Sequence, residues 1–209
     1  MISFPRTGSH WLRMLLEQYS DRPLLVRSFF EHRNQDYLLL HTHDMHLSEK
    51  RRSVIYLYRQ PLDVVYSQMN FYQQDLRDLN LVIHWTNQYL SHLVHWLFLE
   101  NHSVHKTIVC YENLKVDLVQ EFCKVLQHLD LPLDLEKIRT LGRAIDKRKV
   151  AQNTQHDKRV VNQQADYEAQ RIWFRQNYQA TLEEWSRRIA HLTLGEEHRL
   201  LALFEVEKK

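Results

Sequence analysis

The 209-residue chain is predicted to be an α/β protein with a three-layer, P-loop-like architecture in which helices flank a parallel sheet. Two observations predict this class. Short apolar runs alternate along the chain with longer segments of helical periodicity, as in sheets that are covered by helices. Two of the apolar runs are also rich in Leu, Val, Ile and Tyr without alternation, as expected of strands that are buried on both faces.

Each element follows from a local pattern. The predicted strands are Met1–Phe4, Tyr37–His41, Ser53–Tyr58 and Lys106–Tyr111. Apolar residues at helical spacing, or a Pro or acidic residue at the start, predict helices at Ser9–Tyr19, Leu62–Tyr72, Val82–Leu99, Asp117–Leu129, Leu135–Ile145, Asp166–Ile189 and Glu196–Phe204. The polar and basic stretch Asp146–Gln164 has no clear period, and we expect a long loop there.

The composition favours one domain that spans residues 1–209. Apolar residues make up 44% and charged residues 26% of the chain, and the formal net charge is +2. No global field therefore favours nucleic acid as a partner. No apolar run approaches the roughly 20 residues that span a bilayer. The N-terminus shows no leader pattern, and Cys110 and Cys123 indicate no disulfide framework, so we expect a cytoplasmic protein.

The first candidate site is the segment Ser3–Trp11, where a short strand runs into a turn and then into a helix. The N–H groups of Gly8 to Trp11, together with the helix dipole, suit a phosphate group. Thr7 and Ser9 add hydroxyl donors, and Arg6 adds a fixed positive charge. The spacing differs from the Walker loop. Taken alone, the segment is explained equally well by an ordinary strand–turn–helix.

The second candidate site is the segment Tyr56–Ser67. Arg59 follows a predicted parallel strand, at the edge of the sheet where such folds bind ligands, and Pro61 opens the next helix. Arg59 and Ser67 are predicted to bind a second phosphate, one by charge and the other by a hydrogen bond. Asp63 is better explained as a helix cap or an ion-pair partner than as a catalyst. Taken alone, Arg59 is better explained by a structural salt bridge.

Together the two segments resemble the sulfotransferase family. The 5′-phosphosulfate loop of that family has the pattern [TS]-[YF]-P-[KR]-[ST]-G-[ST]-x-W, which residues 3–11 match. Its 3′-phosphate motif is Y-x-x-R-x-P-x-D-x-x-x-S, which is matched in register by Tyr56, Arg59, Pro61, Asp63 and Ser67. The joint match, in the same order and the same strand–helix context, is specific.

Two further segments extend the resemblance over about residues 1–130, the predicted nucleotide-binding core. Leu39–Asp44 is similar to the family's K-[TS]-H strand end, which implies that His43 is the general base, although His41 stands where the family has lysine. Val109–Leu114 is similar to the Y-E-[DN]-L strand end, which implies that Tyr111 lies beside the adenine.

The resemblance fades over residues 131–209, the predicted helical C-terminal part. The family's R-K-G…G-x-W segment, which clamps the 3′-phosphate, is not visible. Arg175 occupies a comparable place but lacks the accompanying glycines. Lys147, Arg148 and Lys149 are an alternative clamp, although a solvated face is the simpler interpretation of such a charge run.

The resemblance implies a reaction in which 3′-phosphoadenosine-5′-phosphosulfate (PAPS), the donor co-substrate, transfers its sulfuryl group to a hydroxyl or amine without a metal ion. His43 and Arg6 are the implied catalytic residues, as general base and as stabiliser of the leaving group. The acceptor is expected to be a small molecule, a glycan or a lipid. The implied donor-binding residues are Arg6, Thr7, Gly8, Ser9, His10, Trp11, Arg59, Ser67, Tyr111 and Arg175.

Three alternatives stay open at this point. His41, His43, Asp44 and His46 form the cluster H-x-H-D-x-H, in which two imidazoles on one strand face could share a zinc ion. A phosphoryl-transfer enzyme is disfavoured, because Arg59 stands where a strand-end Asp would hold Mg²⁺. The missing C-terminal clamp, together with Arg6 and His41, also fits a non-catalytic nucleotide-binding relative.

Overall fold

The computed structural model describes residues 1–32, 35–99, 102–155, 157, 159–162, 164–194 and 202–204. These residues belong to two compact units. The first comprises Met1–Tyr58 and Ser103–Val161, and the second comprises Arg59–His102 and Asn162–Lys209. The predicted division of a single domain near residue 130 stays a prediction.

The first unit contains a parallel sheet of three strands in the order β1 (Ile2–Ser3), β2 (Ser53–Tyr58) and β3 (His105–Cys110). Ile2 pairs with Tyr56, and the β2–β3 register runs from Ser53 opposite His105 to Tyr58 opposite Cys110. The strands are parallel, and their carboxyl ends therefore meet at one edge of the sheet. The α/β class with a parallel sheet flanked by helices is confirmed.

Helices of the first unit pack around an apolar core. They are α1 (Ser9–Ser20), α4 (Tyr111–Val116), α5 (Leu118–His128), α6 (Leu135–Ala144) and α7 (Lys147–Asn153). The core joins Leu12 and Leu16 of α1 to Leu57 of β2 and to Phe122 of α5, each of which is 1% exposed or less. Burying four such side chains contributes about 1.5–3 kcal/mol each.

The second unit is helical. It contains α2 (Pro61–Phe71), α3 (Leu79–Leu93), a π-helix at Val94–Phe98, α8 (Tyr167–Leu194) and a 3₁₀ turn at Ala202–Phe204. Its core packs Leu62, Tyr66 and Met69 of α2 against Phe174 and Leu182 of α8. None of the helices that the structure describes is long and apolar enough to cross a membrane.

The predicted strand Tyr37–His41 is wrong. Leu38 donates its N–H to the Pro23 carbonyl and Leu39 accepts from Leu25, so this stretch is bonded to the chain that follows α1. Only Thr42 forms a parallel bridge, with Ile2. Because β1 is only two residues long, it cannot form a longer ladder of hydrogen bonds with the segment around Thr42.

The predicted loop Asp146–Gln164 is wrong over its first half, where α7 forms. The Asp146 side chain accepts the Lys149 N–H and caps the helix, so a local signal was present in the sequence. The predicted helix Val82–Leu99 begins earlier, at Leu79, because Asp78 caps it, and it ends as the π-helix. Most of the predicted helix Glu196–Phe204 lies outside the described residues.

Candidate functional site

A first candidate region lies at the carboxyl edge of the sheet in the first unit. The β1–α1 loop leaves this edge after Ser3, and α4 begins there with Tyr111 directly after β3. The bridge at Thr42 brings His43 to the same edge, because Thr42 lies beside β1. Three segments that are distant in sequence thus meet where parallel sheets bind ligands.

Backbone geometry makes glycine necessary in the β1–α1 loop. Gly8 has φ 92°, and a Cβ built there would lie 2.4 Å from ring carbons of Tyr111. Both the left-handed backbone and the close ring exclude other residues. Arg6 also has a positive φ, 70°, which is costly for a residue with a long side chain. The loop is therefore held in a strained conformation, as functional loops often are.

Part of the predicted phosphate cradle is used within the protein. Thr7 is fully buried, and its hydroxyl donates to the Phe4 carbonyl at 2.8 Å. The Trp11 N–H donates to the Gly8 carbonyl at 3.1 Å, so that amide closes the first turn of α1. The Trp11 indole N–H donates to the Ile145 carbonyl at 2.7 Å, and the ring lies edge-on to Tyr111. Trp11 thus anchors α1 to the end of α6.

Arg6 is held by the chain that follows α7. Its Nη2 donates to the Arg159 carbonyl at 3.2 Å and to the Val160 carbonyl at 2.9 Å. Both of these partners are backbone carbonyls, so the two bonds orient the guanidinium. The loop thus places a guanidinium near the N-terminus of α1, and both features favour an anion.

His43 is oriented by a backbone carbonyl. Its Nδ1 lies 2.7 Å from the Ser3 carbonyl oxygen, which can only accept, so Nδ1 carries the proton. In the neutral ring the lone pair is therefore on Nε2, the tautomer that a general base needs. Burial lowers the pKa of His43; the Ser3 bond opposes this shift and the Arg13 charge adds to it. The imidazole is consequently neutral near pH 7.

The pKa of His10 indicates which charges surround the carboxyl edge of the sheet. Burial lowers its pKa to about 3, and the charges of Arg13, Arg27 and Arg6 lower it further, as does His43. Burial is the largest cause of this shift, and the three arginine charges in addition make the potential around His10 positive. The region therefore attracts anions.

The alternative of a zinc site is not supported. The rings of His41 and His43 are in contact, with centroids 4.7 Å apart. However, Arg13 Nη1 lies 3.4 Å from His41 Nδ1, and His43 Nδ1 donates to Ser3. The Asp44 carboxylate accepts the N–H groups of Ser48 and Glu49. Within the described ranges, no three His, Cys, Asp or Glu side chains are grouped so that they could hold a metal ion.

A second candidate region lies in the second unit, at the start of α2. Arg59 follows the last residue of β2, and its backbone is held on both sides by one hydroxyl. The Arg59 N–H donates to the Tyr89 oxygen at 3.0 Å, and the Tyr89 hydroxyl donates to the Arg59 carbonyl at 2.5 Å. Tyr89 is fully buried in α3. The backbone at the start of α2 is thus fixed by Tyr89, a residue that the sequence patterns did not indicate.

Three arginines surround the Asp63 carboxylate. Arg171 binds it with two hydrogen bonds, from Nε at 2.7 Å and from Nη2 at 2.8 Å. Arg59 Nη2 lies 3.3 Å away and Arg175 Nη2 lies 3.4 Å away. Burial raises the pKa of Asp63, but the Arg171 bond and the three charges outweigh it, so the pKa is lowered overall.

This arginine cluster (Arg59, Arg171 and Arg175 around Asp63) is largely shielded from water. The Asp63 side chain is 6% exposed and the arginine side chains are 17–24% exposed. Glu168 also accepts from Arg171, but it is 64% exposed and is screened by water. The buried Asp63 carboxylate therefore meets three guanidinium groups. Such a cluster suits a phosphate dianion.

The predicted site residues thus fall into two groups. Residues 6–11, His43 and Tyr111 meet in the first unit, whereas Arg59 and Arg175 meet in the second. Ser67 is buried on α2, one turn beyond Asp63, and Lys147 and Arg148 are exposed on α7. Sequence reasoning missed Arg171. Its only signal was the i, i+4 spacing to Arg175, which places both side chains on one face of a helix.

Comparisons with known proteins identify the family of the chain. A sequence model of the sulfotransferase domain family matches residues 32–185. The fold is similar to that of mouse sulfotransferase SULT7A1 complexed with PAP, with a TM-score of 0.66 and 14% identity over 98% of this chain and 87% of that chain. No curated protein matches the chain in sequence. The chain belongs to the sulfotransferase domain family.

Proposed function

We propose that this sulfotransferase moves a sulfuryl group from PAPS to a hydroxyl or amine of an acceptor, with His43 as the general base. The observation that carries the proposal is the hydrogen bond from His43 Nδ1 to the Ser3 carbonyl, because it places the lone pair on Nε2 at the edge of the sheet beside the β1–α1 loop. A structural neighbour complexed with PAP, the desulfated donor, supports the choice of nucleotide.

In the proposed reaction the acceptor oxygen attacks sulfur while His43 Nε2 takes the hydroxyl proton. The new bond joins the acceptor oxygen to sulfur, and the bond between sulfur and the bridging oxygen of the 5′-phosphate breaks. The electron pair of the broken bond stays on that oxygen, and PAP leaves. Arg6 stabilises the developing negative charge, since a guanidinium keeps its proton and cannot act as an acid. The cationic side chains supply this neutralisation, so the proposal assigns no step to a metal ion.

The donor's two phosphate ends are assigned to different residues. The loop residues Arg6–Trp11 bind the 5′-phosphosulfate, with Tyr111 beside the adenine. The arginine cluster and Ser67 bind the 3′-phosphate, and Arg171 joins Arg175 in the role that the family's R-K-G segment plays. Support for this assignment comes from the three guanidinium groups that meet at the Asp63 carboxylate.

Nucleotide binding tests the proposal. PAP carries the 3′-phosphate and AMP lacks it, so the wild-type protein should bind PAP at least about 10-fold more tightly, because charge-assisted bonds to the 3′-phosphate are worth about 1.5–3 kcal/mol each. Arg171→Ala should weaken PAP binding about 10- to 100-fold and leave AMP binding unchanged, as measured by isothermal titration calorimetry.

Arg187→Ala is the matched control. Arg187 lies on the same helix, is 47% exposed and pairs with Glu184, so its removal should change neither affinity. Equal affinity of the wild-type protein for PAP and AMP would contradict the proposed donor.

A further inference from the structure

A second histidine, His41, lies directly beside the candidate base. Its ring is edge-on to the His43 ring, with the centroids 4.7 Å apart and the ring planes at 86°. His41 also has two polar partners: Arg13 Nη1 lies 3.4 Å from its Nδ1, and Ser3 Oγ lies 3.0 Å from its Nε2. Every edge of the ring that can form a hydrogen bond is therefore in contact with a polar group.

The two polar partners determine which nitrogen of His41 carries the proton. The Arg13 guanidinium can only donate, so His41 Nδ1 accepts. Burial lowers the pKa of Arg13 only to about 10, and the Glu17 carboxylate opposes this shift, so the guanidinium is charged near neutral pH. In the neutral His41 ring the proton is therefore on Nε2, which donates to Ser3 Oγ. His41 and His43 thus carry their protons on opposite nitrogens.

The surroundings of His41 keep its ring neutral. Burial lowers the pKa of His41 well below the ordinary value of 6.5, and nearby positive charges lower it further. These charges belong to His43, Arg13, the Met1 amino group and His10. A protonated ring would also place an N–H group at Nδ1 against the donors of Arg13. The neutral ring is therefore the form that fits both hydrogen bonds.

Ser3 connects His41 to His43. Its hydroxyl accepts from His41, and its carbonyl accepts from His43 Nδ1 at 2.7 Å. Ser3 is fully buried at the end of β1, where its N–H donates to the Thr42 carbonyl at 3.3 Å. One buried serine thus binds both imidazoles. A shift of its backbone would lengthen the bond that selects the tautomer of His43.

His41 also restrains the His43 ring by direct contact. The χ2 torsion of a histidine is broad and roughly twofold, so an unrestrained ring could turn over and exchange Nδ1 for Cδ2. Such a turn would break the bond to the Ser3 carbonyl and remove the reason for a proton on Nδ1. The His41 ring packs edge-on against His43 and opposes this rotation.

We propose that His41 is the positioning residue of the base: it holds the His43 ring with the proton on Nδ1 and the lone pair on Nε2. It does so by contact with that ring and through Ser3, and Arg13 holds His41 in turn. The inference rests on the proposed function and adds to it the residue that orients the base. His41 takes no proton itself, so the covalent step is unchanged.

Long-range proton–nitrogen NMR correlation tests the inference, because protonated and unprotonated ring nitrogens differ in chemical shift. The chain has 14 histidines, and the signals that disappear in His43→Ala and in His41→Leu identify the two rings. In the wild-type protein the proton should be on Nδ1 of His43 and on Nε2 of His41. In His41→Leu the ratio of the Nδ1–H form to the Nε2–H form of His43 (the tautomer ratio) should fall about 5-fold, as expected when one neutral hydrogen bond is loosened.

His41→Gln should restore much of the tautomer ratio, because its amide oxygen can accept from Arg13 and its amide N–H can donate to Ser3. A residue that only filled space would not be replaced better by glutamine than by leucine. Ser3→Ala removes the hydroxyl and keeps the carbonyl, so it should also lower the ratio. His46→Leu is the matched control, since His46 is an exposed histidine of the same segment, and it should leave the ratio unchanged.

The outcomes separate this inference from the proposed function. If the tautomer ratio in His41→Leu equals that of the wild-type protein, the positioning role is overturned and the proposed function stands. Ser3→Ala decides in the same way if the leucine variant does not fold. If His43 of the wild-type protein carries its proton on Nε2, or if the protein binds PAP and AMP equally, the proposed function is overturned and the inference with it.

Discussion

At the scale of single residues, the proposed chemistry depends on the tautomer of one imidazole. The Ser3 carbonyl accepts from His43 Nδ1, and this bond selects Nε2 as the basic nitrogen. Burial and the nearby Arg13 charge lower the pKa of the ring. A lower pKa makes a weaker base, but it ensures that the neutral form is present at neutral pH, where proton transfer needs it.

His43→Ala should reduce kcat by about 10²- to 10⁴-fold, because general base catalysis contributes about that much. The affinity for PAP should stay within about twofold of wild type, since the ring is assigned to the proton and not to the nucleotide. The comparison needs a kcat measurement together with calorimetry of PAP binding.

His46→Ala is the control for this substitution, because His46 is an exposed histidine of the same segment. It should retain wild-type kcat and PAP affinity. Loss of PAP binding in the His43 variant would show that the ring serves the nucleotide site instead.

At the scale of elements, the β1–α1 loop is held in shape by its contact with the first residue of α4. A side chain at position 8 meets two penalties, a φ of 92° and a Cβ position 2.4 Å from the Tyr111 ring. Gly8→Ala should therefore lower the free energy of unfolding by about 1–3 kcal/mol. Urea denaturation measures this loss.

The double variant Gly8→Ala/Tyr111→Ala separates the two penalties. Removing the ring should relieve the clash but not the cost of the left-handed backbone. The losses of unfolding free energy caused by the two single substitutions should therefore be non-additive. Strict additivity would show that the ring moves aside without cost.

The elements differ in how far their sequences predict them. The apolar run of β2 and the helical spacing of α1 lead to nearly correct bounds, because burial on both faces and amphipathicity are local patterns. Tyr37–His41 has the same strand-like composition but bonds to the segment that follows α1. Composition alone cannot show which neighbour will supply the hydrogen bonds.

The candidate site shows the same limit. Its motifs locate Arg6, His43 and Arg59, since the residues of each motif lie close together in sequence. Arg171 binds Asp63 from a helix far along the chain, and Tyr89 holds the Arg59 backbone from α3. Contacts of this kind are set by tertiary packing, so the sequence offers only the spacing of Arg171 and Arg175 as a hint.

At the scale of the whole molecule, the neutral histidines of the first unit link folding to pH. His10 has a pKa of about 3 in the folded protein and an ordinary value near 6.5 when unfolded. Between these values the unfolded chain binds the extra proton, so stability is lost as the pH falls below about 6.5. His41 and His43, whose pKa values burial also lowers, act in the same direction.

His10→Gln should reduce this acid-induced loss. Because each unit of pKa difference corresponds to about 1.4 kcal/mol, the loss of unfolding free energy between pH 7 and pH 5 should be about 2 kcal/mol smaller in the variant. Urea denaturation at the two pH values measures it. The exposed His46→Gln should leave the wild-type difference unchanged, and an equal loss in the His10 variant would contradict the prediction.

The packing of Gly8 against Tyr111 has a consequence for evolution. The loop motif that contains Gly8 and the strand-end motif that contains Tyr111 are separate in sequence but in contact in the fold. A substitution in one motif therefore changes which residues the other can accept. Among natural relatives, a bulkier residue in the position of Gly8 should occur only together with a smaller one in the position of Tyr111. Grafting the β1–α1 loop into another scaffold would likewise require a tyrosine in the position of Tyr111.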